Sequence, residues 1–596
     1  MAMYVAPQWD LAFALSAQAR IENLATLSGF DAFDASMTEP LLTEASRFIE
    51  DTIAPLNRTS DLQGAQWNDD NTVTTPDGFV EAYGAYVDSG WGALPFDSSY
   101  GGGGLPWVLN LAIQEMLNSA CMSFALCPLL TQGAIDLLSH HASEEQKEIW
   151  LAKLISGEWS ATMNLTESDA GSDVGAIRTR AEKQADGTYL ISGQKIFITY
   201  GEHDLTENVI HLVLARTPDA PPGTKGISTF IVPKFLLDDE GRPSIRNDAK
   251  CTSIEHKLGI NGSPTCTMQF GDEGRAVGYL IGEENRGMAY MFTMMNNARL
   301  SVGTQGLAIA ERAYQDAADY ARERRQGRSL GANPGASSPI IEHADVRRML
   351  MTMKAYNEAM RGLVIANGAA IDTEVASDDD TIRTAASERS ALLTPITKGW
   401  CTDIGCEVTS IAIQVHGGMG FIEETGVAQH FRDARINPIY EGTTGIQALD
   451  LVARKLPLDG GAVIEAFFSD IDTTIARATV HDSLASSSLA LSEFLETART
   501  VTTTLLERLG SSPGDVFASA TPYLRLTGYL AGGWVLLEQA SLASARLAAG
   551  DTDQRLVNKI STTRFYCEQL LPLGIASANA ALATSDALFA VGADAF

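Results

Sequence analysis

The sequence predicts an α+β protein of several domains, ordered as helices, strands, helices and then a further helical unit. Three observations carry that expectation. Apolar residues recur at helical spacing through the first 160 or so positions. A run of short segments rich in Ile, Val, Phe, Tyr and Thr, separated by turn residues, then fills about 159–270. From about 287 onward the spacing is helical again. At roughly 100–200 residues per domain, 596 residues make three to five units.

In chain order, Thr43–Ile53 and Leu109–Met116 read as helix, and PFDSSYGGGGLP (Pro95–Pro106) breaks them with a glycine-rich loop. Tyr189–Ser192, Lys195–Thr199, Ile210–Ala215 and Ser228–Val232 read as strands. No long helix separates them, so an antiparallel sheet or barrel is expected rather than a βαβ sheet. Met288–Arg324 lacks proline and carries spaced apolar positions, as one or two long helices would. Gln326–Pro339 reads as a Gly/Ser/Pro loop and Asp372–Thr381 as a short acidic linker. The stretch 460–596 is Ala/Leu/Ser-rich and helical, broken at Gly510–Gly514. The predicted division is an N-terminal extension 1–38, a helical domain 39–160, a β domain 161–285, a helical domain 286–457 and an additional helical domain 458–596.

Composition narrows the function. Hydrophobic residues are 45% and charged residues 20%, a globular balance. Lys+Arg 43 against Asp+Glu 74 gives a net charge of −31, which disfavours nucleic acid and anionic membrane surfaces. A local basic pocket for a phosphorylated small molecule stays allowed. Seven scattered cysteines contain no CxxC, and with nine histidines they form no zinc spacing, so no metal is expected. The odd cysteine count and the acidic residues of Met1–Leu27 predict a cytoplasmic protein without a secretory signal. No stretch of about 20 residues reads as purely apolar enough to span a bilayer; the closest, Leu570–Ala593, is interrupted by Pro572, Asn579 and Asp586 and reads as a packed helix. His140–His141 read as a solvated helix end, and His416 as structural or close to a cofactor.

Walker A, G-x-S-x-G, H-E-x-x-H and a strand-borne G-x-G-x-x-G are all absent from the sequence. Three other segments stand out. LTESDAGSDVG (Leu165–Gly175) offers hydroxyls and flexible backbone N–H groups suited to a heterocycle or a phosphate. A turn-rich domain boundary explains its composition equally simply. GQKIFITY (Gly193–Tyr200) places Phe197 and Thr199 on one strand face, as a half-buried strand with a core Phe also would. NPIYEGTTGIQAL (Asn437–Leu449) sets Glu441 among apolar neighbours, which suits a general base. The adjacent Gly442 lets a substrate approach the backbone closely. A helix-start acid or surface loop is the plainer alternative.

Together and in this order, these segments resemble the acyl-CoA dehydrogenase family. The resemblance covers about 40–455 and rests on YGGGGLP (Tyr100–Pro106), TESDAGSD (Thr166–Asp173), GQKIFIT (Gly193–Thr199) and LGINGSPT (Leu258–Thr265). It continues through Arg299–Arg324, QVHGGMGF (Gln414–Phe421) and YEGTTGIQA (Tyr440–Ala448). It implies an N-terminal helical domain, a central antiparallel β domain and a C-terminal four-helix domain, with FAD as cofactor. The long N-terminal segment, GEHDLTEN (Gly201–Asn208) and the C-terminal helical extension are similar to long bacterial members that include the 3-methylthiopropionyl-CoA dehydrogenases of dimethylsulfoniopropionate breakdown.

The resemblance implies Glu441 as catalytic base. It implies Leu165, Thr166, Gly171, Ser172, Phe197, Thr199, Arg324, Gln414, Gly417, Gly418 and Thr443 as cofactor contacts. Phe197 stands where the family more often has Trp, and Gly445 where shorter members have Gln. Ser172, Asn296, Arg299, Tyr440 and Gly442 are the implied substrate contacts. The implied reaction is α,β-dehydrogenation of an acyl-CoA to the trans-2-enoyl-CoA. Short to medium chains are favoured, 3-methylthiopropionyl-CoA among them. Electron-transfer flavoprotein is the implied electron acceptor, and a homodimer the implied assembly. The alternatives are a long-chain acyl-CoA dehydrogenase, an oxygen-using acyl-CoA oxidase, and a non-catalytic acyl-CoA/FAD-binding protein.

Overall fold

Eight strands between Ser160 and Leu280 supply the sheet that the β-rich stretch predicts. They are β1 Ser160–Asn164, β2 Arg180–Lys183, β3 Tyr189–Thr199, β4 Val209–Ala215, β5 Ser228–Pro233, β6 Ala249–Ile254, β7 Thr265–Phe270 and β8 Val277–Leu280. The computed structural model describes residues 3–331, 335 and 337–596, so part of the expected Gln326–Pro339 loop lies outside the described residues. The chain divides into two compact units: Arg47–Leu105 with Ala120–Ser301, and Met1–Ser46 with Pro106–Ser119 and Val302–Phe596.

In the sheet-bearing unit the strand order is β6-β7-β3-β8-β5-β4-β1, with β2 paired to β3. Every pairing is antiparallel except β1 with β4, which run parallel with Ser160 opposite Val209. The parallel pair is possible because a long connection through β2 and β3 separates the two strands in sequence. Strands β4 and β5 are buried along their whole length, which fits their mostly apolar sequences, VIHLVLA and STFIVP. Tyr189, Ile191, Val213, Phe230, Met268 and Phe270 form the core beneath them. The two strands expected at Tyr189–Ser192 and Lys195–Thr199 are one strand, β3. Its pairing with β7 slips by one residue between Ile198 and Lys195, and Phe197 sits in the slip with a left-handed φ of 60°.

The other unit is helical. Gly287–Glu323, whose later part it contains, is a single helix rather than two. The Ala344–Ala376 and Asp380–His416 helices follow. The expected acidic linker shrinks to Ser377–Asp379, because Asp372 is needed inside a helix. Its buried carboxylate accepts the N–H groups of Trp107 (2.5 Å) and Val108 (2.9 Å), capping the start of the Trp107–His141 helix. Gly306 lets helices touch: a Cβ there would lie 2.5 Å from the Cys401 carbonyl oxygen.

The C-terminal stretch is helical with a break at Ser512, as expected. Its central Ala520–Ala548 helix carries Tyr529, whose ring packs with Trp400 and Tyr356 at centroid distances of 6.1 and 6.5 Å, and Tyr356 packs in turn with Tyr566 at 6.5 Å. The N-terminal segment is ordered against this region. Asp10 pairs with Lys559 at 2.6 Å, and Phe13 packs with Ala543 and Leu556. Leu570–Ala593 is not one packed helix: it is cut after Leu570 and after Leu582, and Leu588, Phe589 and Val591 are exposed. By length and composition the Trp107–His141 helix is apolar enough to cross a membrane, contrary to the expectation that no such stretch exists. Its most apolar window is 94% buried within the protein, so it reads as a core helix. Pro128 sits inside it, and Cys121 breaks its geometry.

Candidate active site

The loop before the short Thr444–Asp450 helix holds the strongest chemical candidate. Glu441 is half-buried and adopts a left-handed φ of 54°, and Gly442 follows at 85°. A non-glycine residue in that region costs roughly 1–3 kcal/mol and persists only where its surroundings impose it. Here they do. Lys398, wholly buried on the Asp380–His416 helix, donates from Nζ to the Gly442 carbonyl at 2.7 Å. Buried Gln447 donates from Nε2 to the carbonyls of Glu441 (3.4 Å) and Gly442 (3.3 Å). The Thr443 hydroxyl accepts the Ile446 N–H at 3.2 Å and starts the helix. The Tyr440 hydroxyl donates to Gln305 Oε1, and Gln305 Nε2 donates to Asn118 Oδ1 at 3.1 Å. Burial, helped by the charge of Glu441, pushes the Tyr440 phenol far above its ordinary range, so it stays a neutral donor.

The same unit carries the glycine turn. The Asp380–His416 helix ends at Gly417, with φ 60° and ψ −139°, and a side chain at Gly417 or Gly418 would meet nothing within 4 Å. Gln414 is exposed beside it. His416 is buried and structural: it bonds the Ala412 carbonyl at 2.8 Å and stacks on Tyr320 at 4.3 Å. Arg324 follows the last residue of the Gly287–Glu323 helix and is exposed.

The sheet-bearing unit presents the second set. The LTESDAGSD loop leaves β1 and is tied to β3, because the Thr166 carbonyl accepts the Ile196 N–H at 2.9 Å. Lys195, with a wholly buried ammonium, donates to the Leu165 carbonyl (3.0 Å) and to Glu167 Oε1 (2.8 Å). Glu167 also accepts the N–H groups of Arg178 (2.6 Å) and Thr179 (3.1 Å) and the Thr179 hydroxyl (2.6 Å). Burial depresses the Lys195 ammonium to about 8 against the opposing pull of Glu167. The loop is therefore clamped rather than a loose boundary. Its tip is open: Gly171 and Ser172 are exposed, and a Cβ at Gly171 would touch nothing within 4 Å. Phe197 is 58% exposed and Thr199 half-buried, on either side of the buried Ile198, with Phe197 in the register slip. Asn296 is exposed, and the buried Arg299 donates to its Oδ1 at 3.3 Å while lying over Phe292.

Five residues of this arrangement escaped the sequence reading: Glu167, Lys195, Gln305, Lys398 and Gln447. The lysines left a signal, since each is a cation at an inward position of an otherwise apolar element. His140 and His141 do close their helix, with His141 Nε2 2.7 Å from the Thr293 hydroxyl. Among the described residues, no group of three or more His, Cys, Asp or Glu could hold a metal ion.

Comparison with known proteins adds the context. Residues 38–158, 162–272 and 285–456 match the N-terminal, middle and C-terminal domains of acyl-CoA dehydrogenase. Residues 467–591 match the acetyl-CoA dehydrogenase C-terminal-like domain. The chain is 48% identical over 575 residues to a 3-methylmercaptopropionyl-CoA dehydrogenase of Ruegeria pomeroyi, covering 95% of this chain and 96% of that one. It is 36% identical to a butyryl-CoA dehydrogenase of Syntrophomonas wolfei, covering 96% and 95%. A crystal structure of a Bacillus anthracis acyl-CoA dehydrogenase complexed with FAD shares the fold at TM-score 0.73 and 21% identity, covering 94% and 90%.

Proposed function

The chain belongs to the acyl-CoA dehydrogenase family, and we propose that Glu441 is the base with which it removes the α-proton of an acyl-CoA thioester. The observation behind this assignment is the Glu441 turn itself. The Glu441 backbone is in a left-handed conformation, buried Lys398 and Gln447 hold the loop carbonyls around it, and the residue itself is half-buried. Such a turn aims the side chain out of the loop and fixes it, so orientation is in place before substrate arrives. Tyr440, anchored through Gln305 to Asn118, walls one side of the base.

The open glycine positions fit the cofactor. Gly171, Gly417 and Gly418 leave backbone uncovered, and Phe197 offers an exposed ring. Leu165, Thr166, Gly171, Ser172, Phe197, Thr199, Arg324, Gln414, Gly417, Gly418 and Thr443 are the residues that would hold FAD. When bound, FAD supplies the hydride acceptor for the substrate β-carbon. The chain's own part is to hold the thioester, exclude water and keep the α-proton on Glu441. Ser172, Asn296, Arg299, Tyr440 and Gly442 are the substrate contacts in this reading.

The product is the trans-2-enoyl-CoA. Identity of 48% over nearly the full length supports 3-methylthiopropionyl-CoA as substrate, within a short- to medium-chain range that the butyryl-CoA relative also favours. One methylene changes discrimination by only about 1–3 kcal/mol, so neighbouring chain lengths remain substrates. Electron-transfer flavoprotein as oxidant and a homodimeric assembly complete the proposal. The test is Glu441→Gln, which keeps the shape of the side chain and removes its basicity. The expected variant binds FAD and acyl-CoA and forms no enoyl-CoA; near-normal turnover would sink the assignment.

A further inference from the structure

Among the described residues, two aromatic side chains sit on left-handed backbone, and they lie three positions apart. Phe197, with φ 60°, is exposed where β3 slips against β7. Tyr200, with φ 51°, follows the last residue of β3 and is buried. A bulky residue persists in that region only where its surroundings impose it. At Tyr200 they do. Gly201 comes next, and a Cβ there would lie 2.8 Å from Met268 Sδ and 3.0 Å from Cys266 Cβ, so the chain turns tightly against β7. The Tyr200 N–H donates to the Pro264 carbonyl at 2.8 Å. The phenol donates to the Ser123 carbonyl at 2.7 Å, on the Trp107–His141 helix two residues past the break at Cys121. The ring meets that of His203 edge-on at 5.4 Å, and His203 is itself fixed, with Nε2 2.9 Å from the Ser160 hydroxyl and Nδ1 accepting the Leu205 N–H at 3.1 Å. We propose that Tyr200 is a positioning residue for the flavin site: its bond to Ser123 holds the Phe197–Thr199 segment in shape in the flavin-free chain, so that the Phe197 ring is in place before the cofactor arrives.

Core packing alone does not call for a tyrosine here. Phenylalanine would fill nearly the same volume without a buried hydroxyl that needs an acceptor. Burial pushes the Tyr200 phenol well above its ordinary range, so it stays a neutral donor and the bond to Ser123 persists across the working pH. That bond ties the end of a strand to a helix far away in sequence. Phe197 has no such tie of its own, since among the described residues no other aromatic ring packs on it. It hangs between two anchors: the Ile196 N–H, which donates to the Thr166 carbonyl at 2.9 Å, and Tyr200. Loosening the second anchor lets Phe197 relax toward ordinary extended backbone and swing its ring away. Each of these partners lies in the sheet-bearing unit, so the arrangement is complete within it.

The flavin rests on the acyl-CoA dehydrogenase reading; the pinning of the segment does not. The experiment measures FAD affinity of the deflavinated full-length chain, and hydrogen exchange by mass spectrometry over 194–201 without FAD, in wild type, Tyr200→Phe and Tyr83→Phe. Tyr83 is the control, a buried tyrosine on the Phe79–Asp88 helix whose phenol donates to the Gly157 carbonyl at 3.0 Å. Wild type should protect 196–200 without FAD. Tyr200→Phe should exchange there about tenfold faster and bind FAD about three- to tenfold more weakly, while Tyr83→Phe does neither. In a Phe197→Gly background, where glycine takes the turn freely and no ring needs placing, loss of the Tyr200 hydroxyl should leave FAD affinity unchanged. Wild-type exchange and affinity in Tyr200→Phe, an equal weakening in Tyr83→Phe, or an equal loss in both backgrounds would overturn the proposal. If Tyr200→Phe does not fold, exchange in the flavin-free wild type decides: protected amides at 196–200 support the pin and open ones overturn it. A wild type that binds no FAD would count against the dehydrogenase reading, and the exchange comparison would still decide the pin.

Discussion

Lys398→Met isolates the clamp on the base. The substitution keeps the length of the side chain and removes the ammonium that donates to the Gly442 carbonyl at 2.7 Å. A hydrogen bond from a charged donor contributes about 1.5–3 kcal/mol net. That is comparable to the roughly 1–3 kcal/mol cost of the left-handed conformation it helps impose on Glu441. If the clamp matters when the base works, most of the loss falls on the chemical step. At about 1.4 kcal/mol per factor of ten, kcat drops by about 10- to 150-fold. KM should move little, because Lys398 is wholly buried and its bond is to the loop. Removing a buried charge for a thioether of similar volume need not destabilise the fold, so the melting temperature should stay close to wild type. Steady-state kinetics with a short acyl-CoA, alongside a thermal melt, gives both numbers. A variant with kcat within twofold of wild type would refute the claim that the clamp holds the base, whatever its melting temperature.

Other consequences are equally specific. Lys195→Met should lower flavin retention, because the LTESDAGSD loop loses its anchor; combined with Glu167→Gln, the stability loss should be smaller than the sum of the single losses, since the two groups form one buried pair. Arg361→Met should cost about 3–5 kcal/mol in a denaturation curve, because it leaves the buried carboxylates of Glu115 and Glu311 without their shared cation. Burial, reinforced by nearby cationic side chains, depresses His203 and His211 to about 3 in the fold. The unfolded chain, near about 6.5, then binds more protons between these values, so their contribution to stability is present above about pH 6.5 and is lost as pH falls toward 3. Calorimetry of His203→Asn at pH 5 should show proton uptake on unfolding smaller by about one; an unchanged uptake would show that His203 is already protonated in the fold.

The order of helices, strands and helices was legible because short Ile/Val/Phe-rich runs bounded by turns, as in β4 and β5, contrast with the long stretch of spaced apolar residues in Gly287–Glu323. The strand slip at Phe197 was not legible, since a bulge leaves the alternation intact on both sides. Asp372 looked like the start of an acidic linker because local composition cannot show a carboxylate capping a helix 264 residues away. Trp107–His141 was legible only over Leu109–Met116, because the helix is buried almost all round, so its apolar residues mark no single face, and it carries Pro128. At the site, Glu441 was legible from its Tyr-Glu-Gly context and the family resemblance. The residues that hold it were not. Lys398 and Gln305 reach the loop from distant parts of the chain, and only tertiary packing makes them its partners. Lys195 and Glu167 show the same limit on the other unit, where a pair separated by 28 positions turns a glycine-rich loop into a fixed one.

The account stands or falls on an anaerobic titration of the purified protein with acyl-CoAs from butyryl to palmitoyl, 3-methylthiopropionyl-CoA included, followed by flavin absorbance. Wild type should bleach, fastest with the short and thioether-bearing thioesters, while Glu441→Gln retains its flavin and stays oxidised. Bleaching of the Glu441→Gln protein at the wild-type rate, or a wild-type flavin that no thioester reduces, would contradict it.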